Sequence, residues 1–121
     1  MCLDIEMYEK MDKGSLEACE YYNRLSKSLT DKYIFDKENL IFDYRYKIKN
    51  LSYEMECALE TLNKSDLRDK MIKLEKYKKQ LYNIFIEEES KLLEKYNLDM
   101  ETILIDYKNT CLTNDYICFV V

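Results

Sequence analysis

The chain has 121 residues, 47% of them hydrophobic and 36% charged, enough apolar material for one modest core and too much for a disordered segment. Its net charge is −5, with 19 Lys and Arg against 24 Asp and Glu, a balance that suits a protein partner better than general nucleic-acid binding. The absence of His excludes Ser-His, Cys-His and HExxH chemistry, and a single Gly excludes P-loops, dinucleotide-binding turns and nucleophile elbows.

With no Pro and only Gly14 as a breaker, composition predicts an all-α chain, one helical domain over residues 1–121. Residues 2–13 carry two patterns. Leu3, Ile5 and Met7 alternate with acids at strand period, while Leu3, Met7 and Met11 share a helix face. The Met, Leu, Glu and Lys content favours a helix, with Gly14 as its left-handed C-cap. Ser15 then caps a helix over 16–33 whose inner stripe is Ala18, Tyr22, Leu25 and Leu29.

The centre of the chain predicts a long antiparallel helical hairpin. One arm runs over 37–62 and the other over 66–96, with Asn63, Lys64 and Ser65 at the corner. Ile41, Tyr44, Ile48, Leu51, Met55, Ala58 and Leu62 recur at steps of three and four. Leu67, Met71, Leu74, Leu81, Phe85 and Leu92 answer them on the second arm. Asp36 is placed to cap the first arm, with Phe35 and Leu40 as a hydrophobic staple. Phe42, Tyr46 and Tyr53 form a second stripe on that arm, and Tyr82, Ile86 and Leu93 one on the other. A single partner helix cannot cover two stripes, so further elements are expected to pack there. Asn97 ends the second arm, and Asp99 caps a last helix over 100–112 with Leu98 and Ile103 as staple. The short helices and an extended tail from Tyr116 are expected to pack at the open end of the hairpin, leaving its turn end as a projecting arm.

The chemistry-bearing groups are few. Glu87, Glu88 and Glu89 point in different directions on a helix and read as a solvated face. Cys2, Cys19, Cys57, Cys111 and Cys118 lack paired spacing, which speaks against zinc and for free thiols packed as small core residues in a reducing, cytoplasmic setting. No metal or cofactor is implied. No apolar run reaches the ~20 residues of a membrane span. Cys118-Phe119-Val120-Val121 has only the outline of a prenylation box, since Val is not a typical last residue. The basic island Lys64, Arg68, Lys70, Lys73, Lys76, Lys78 and Lys79 is interrupted by Asp66, Asp69 and Glu75, which pair one turn on and make it a soluble helix face before a nucleic-acid contact. Twelve tyrosines suit either a core or an interface.

What remains is surface contact. The expectation is a non-enzymatic protein-binding module, an inhibitor or adaptor of a larger protein, with Arg68, Lys73, Lys76 and Glu60 at the projecting tip as its contact residues. A nucleic-acid contact through the island 64–79 and a self-associating coiled coil, a homodimer, are the alternatives. The small, acidic, helical and motif-poor profile resembles that of phage-encoded inhibitors of host defence enzymes such as anti-CRISPR proteins. The resemblance implies stoichiometric inhibition and rests on no specific residue.

Overall fold

The computed structural model describes residues 12–118. Most of the helix expected over 2–13, Cys2, and Phe119-Val120-Val121 lie outside the described residues. The rest is two long helices packed antiparallel: α1, Lys13–Thr61, of 49 residues, and α2, Lys64–Thr113, of 50 residues. Among the described residues there is no strand, and residues 116–118 of the expected extended tail have no regular structure.

The arms are therefore longer than the sequence reading placed them. Residues 16–33 and 100–112 are not separate helices but the continuations of the two arms. Asp36 and Asp99 cap nothing, Asn97 ends nothing, and Phe35 and Leu98 stand exposed rather than stapled. The physical reason is that an Asp or Asn inside a helix costs at most ~0.7 kcal/mol. Breaking the helix there would orphan four C=O groups on one side of the break and four N–H groups on the other. The inner face also stays in phase through residue 36, so nothing is gained by stopping.

The real ends are well capped. Asp12, not Ser15, caps α1: its Oδ1 accepts from the Ser15 amide at 2.7 Å and its carbonyl from the Leu16 amide at 3.0 Å. Those bonds from Ser15, amide first and hydroxyl second, hold the Asp12 carboxyl below its usual range. Gly14 is an early α1 residue with negative φ, not the left-handed residue expected there. The corner is tighter than expected. Asn63 caps α2 through its Oδ1, which accepts from the Asp66 amide at 2.9 Å, and through its carbonyl, which accepts from Leu67 at 2.8 Å. α2 closes with a Schellman motif. The Tyr116 amide reaches back to the Cys111 carbonyl at 2.7 Å, with Asp115 in the left-handed region at φ 55°.

The chain forms two compact units, Met1–Tyr33 with Glu94–Val121, and Ile34–Leu93. In the first, Cys19, Tyr22, Tyr107 and Cys111 are buried, and Leu16, Leu25, Ile103 and Tyr116 pack on them. The Tyr22 hydroxyl donates to Asp106 at 2.7 Å and lies 3.0 Å from the Thr110 hydroxyl. Ser15, fully buried, accepts from the Ile117 amide at 2.9 Å and so fastens the chain after α2 to the first turn of α1. In the second unit Leu51, Leu74 and Leu81 form the core with Tyr44, Ile48 and Met55 packed against them.

The pairing register is marked by aromatic rungs. Tyr22 meets Tyr107, Tyr33 stacks on Tyr96, and Tyr44 stacks on Phe85, with ring centroids 5.1, 4.5 and 4.6 Å apart. Each rung is eleven residues further along α1 and eleven back along α2. The next step in the series, Met55 and Leu74, belongs to the core of the second unit.

Candidate functional site

A helix in a two-helix pair has one covered face, and α1 has an apolar residue series on the face turned away from it. Tyr44, Ile48, Leu51 and Met55 point to α2. Phe42, Tyr46 and Tyr53 lie about half a turn round, as does Phe35. These four are 73%, 58%, 68% and 62% exposed respectively. Among the described residues none packs on this stripe, including residues 16–33 and 100–112, which were expected to cover it. On α2 the stripe Tyr82, Ile86 and Leu93 is likewise exposed. A lone exposed aromatic is ordinary, but four at steps of seven, four and seven form a continuous band in a helix's own period. Within it Asn39 and Lys49 fill the intervening positions, both exposed. The Cys57 thiol, one turn beyond Tyr53, holds that phenol above its usual range.

The tip residues do not form a comparable patch. Arg68, Lys73, Lys76 and Glu60 are all exposed. Lys73 and Lys76 share a face one turn apart, Arg68 lies about 140° round the helix from Lys73, and Glu60 is on the other arm. Among the described residues no ion pair joins any two of them. The island's charges are partly matched in a way the sequence did not show, with Lys70 3.9 Å from Glu54 on α1 instead of bonding Asp66. Further along α2, Glu87 and Lys91 meet one turn apart at 3.1 Å.

In the first unit a groove of about 590 Å³ runs beside the helix pair, with Asn23, Ser26, Lys27 and Asp31 on one wall and Met100, Ile103 and Leu104 on the other. The Cys111 thiol is a poor nucleophile. Burial first, and then the adjacent Cys118 thiol, push Cys111 up to about 11. Cys19, Cys57, Cys111 and Cys118 are all free. Among the described residues no set of three His, Cys, Asp or Glu side chains gathers to hold a metal ion.

The fold is an all-α antiparallel helical hairpin, and among the described residues no helix is long and apolar enough to cross a membrane. No known protein family, curated protein or solved structure matches the chain.

Proposed function

We propose that the protein is a binding module that acts by surface contact, taking an amphipathic helix of a partner protein against the outer face of α1. The observation that carries this reading is the stripe of Phe35, Phe42, Tyr46 and Tyr53, exposed along a helix that already buries its other face. Aromatic side chains bring large contact area with few rotamers to immobilise, which is why they dominate binding energy at interfaces. A module of this kind serves as a stoichiometric inhibitor or an adaptor of a larger protein.

The test is affinity capture from an extract of the source organism, with and without nuclease, using wild type, Phe42→Glu with Tyr46→Glu, and Arg68→Glu with Lys76→Glu. Nuclease-resistant capture lost in the stripe variant and kept in the tip variant supports the reading. Capture lost only with the tip variant moves the interface to Arg68 and Lys76, and capture abolished by nuclease replaces it with a nucleic-acid contact.

A further inference from the structure

We infer that the helix which covers the outer face of α1 is the same face of α1 from a second copy of this chain, laid antiparallel, so that two hairpins join across a two-fold axis beside residue 44. The inference rests on the reading of that face as a protein-docking surface and puts a second copy there in place of another protein's helix.

The argument starts from the period of the face. Phe35, Asn39, Phe42, Tyr46, Lys49 and Tyr53 alternate steps of four and three, which is the a/d seam of a coiled coil. In that frame Asn39, Tyr46 and Tyr53 occupy a positions, and Phe35, Phe42 and Lys49 occupy d positions. An antiparallel pair of such helices sets each a against a d of the other. When the two-fold axis passes beside residue 44, every layer matches in kind. Phe42 faces the second copy's Tyr46, Phe35 faces its Tyr53, and Asn39 faces its Lys49. By symmetry each layer occurs twice.

Other alignments of the same face are worse. Shifting one heptad toward the N-terminus sets Asn39 against Phe42. Shifting one heptad the other way sets Tyr46 against Lys49. A parallel pair sets Lys49 against Lys49 in the middle of the seam, whereas the antiparallel pair brings like charges together only on its solvated flanks, Arg45 against Arg45 and Asp43 against Asp43 beside the axis. A polar residue at an interior seam position is a known means of fixing orientation and register, and Asn39 and Lys49 together permit one arrangement. An isologous two-fold contact is also the commonest way for one surface to be its own partner.

The area is adequate. An aromatic side chain carries roughly 150–250 Å². With the four about two-thirds exposed, the two copies bury on the order of 1,000 Å² of aromatic surface between them. The aliphatic stems of Lys49 and of the flanking Arg45 bring this to about 1,200 Å², where specific protein interfaces begin.

The experiment uses the full chain. Sedimentation equilibrium is expected to give twice the 14.8 kDa chain mass for wild type and the single chain mass for Phe42→Glu with Tyr46→Glu, with helical circular dichroism unchanged because both positions are exposed. The register is read by crosslinking with a short bis-maleimide in a background with Cys2, Cys57 and Cys118 replaced by Ser. Arg45→Cys, beside the axis, is expected to link to itself. Glu38→Cys and Ser52→Cys are each expected to link only when mixed with the other. A wild-type monomer at 100-µM-scale concentration, a dimer that survives the double substitution, or self-linking by Glu38→Cys alone would each overturn the inference. A wild-type monomer that still captures a partner through the same stripe removes the second copy and leaves the docking surface. Loss of that capture as well removes both.

Discussion

Tyr33 and Tyr96 stack with ring centroids 4.5 Å apart and planes 23° from parallel, and the Tyr96 hydroxyl lies 2.9 Å from that of Thr30. This rung shows what holds a helix pair together when few side chains are fully buried: flat rings cover each other where branched aliphatic residues would leave gaps. Tyr96→Phe removes only the hydroxyl contact and is expected to cost about 1 kcal/mol. Tyr96→Ala removes the stack as well, and about 2–3 kcal/mol is expected from lost area and ring pairing. Urea unfolding of both variants measures the difference, and equal losses would show that the stack contributes nothing.

Gly14 and Tyr116 form a second dependent pair. A Cβ at residue 14 would stand 2.5 Å from Cε1 of the Tyr116 ring, closer than real contacts allow. Ala is the better helix former by about 1 kcal/mol, yet Gly14→Ala is expected to lower the melting temperature because the ring must leave. In a Tyr116→Ala background the same substitution is expected to raise it. A double-mutant cycle without that change of sign would count against the contact.

Asp115 occupies a left-handed position usually given to Gly. Asp115→Gly relieves the backbone strain and is expected to stabilise the protein by about 0.5–1 kcal/mol, visible as a higher midpoint in thermal melts.

Cys111 makes the protein sensitive to alkali. Its folded pKa of about 11 lies above the ordinary value of 9.0, through burial first and the Cys118 thiol second. The folded state therefore prefers the protonated thiol. Its contribution is complete below pH 9 and is lost as pH rises through 11. Tyr22 acts in the same sense. The Thr110 hydroxyl pulls its pKa down, but the bond to the Asp106 carboxylate and burial outweigh it and leave it raised. Thermal midpoints are expected to fall between pH 9 and 11, and to fall less steeply in Cys111→Ala. In thiol labelling at pH 8, exposed Cys118 should react well before Cys111.

At the turn end, Leu74 is buried against Leu51 and Leu81. Leu74→Asp places an unpaired carboxylate there and is expected to cost several kcal/mol, on the order of other buried unpaired charges. Arg68→Glu with Lys76→Glu touches only exposed side chains and should leave the melt within about 0.5 kcal/mol of wild type. Circular dichroism melts of the two variants separate the cases.

The hairpin was legible in the three-and-four spacing around Leu51 and Leu74, and its corner in Asn63. The continuity of the arms was not. Asp36 and Asp99 look like caps in a linear reading, and local capping chemistry says nothing of whether the inner face continues in phase on the far side. The signal was present in Tyr22, Tyr33 and Tyr44 and in Phe85, Tyr96 and Tyr107, each series at intervals of eleven, which runs through both supposed breaks. Ser15 was misread for a related reason. Asp12 can cap three residues earlier, and the Ser15 hydroxyl is then free to accept from Ile117, a partner 102 residues away that no local pattern reveals. The stripe of Phe42, Tyr46 and Tyr53 was visible in the sequence; what the sequence did not show is that none of residues 12–118 packs on it.

Eleven residues make close to three whole turns of helix, and that near-coincidence limits how the chain can change length. One residue inserted in α1 between Tyr33 and Tyr44 would swing everything beyond it by about 100°. Tyr44 would leave Phe85, and Asp43, Lys47 and Asn50 would move into the positions that Tyr44, Ile48 and Leu51 hold. An insertion of eleven in one arm alone restores the facing but leaves a rung without its mate. Matched additions or deletions of eleven in both arms keep rings opposite rings, and matched changes of seven, which also come within about 20° of whole turns, do the same.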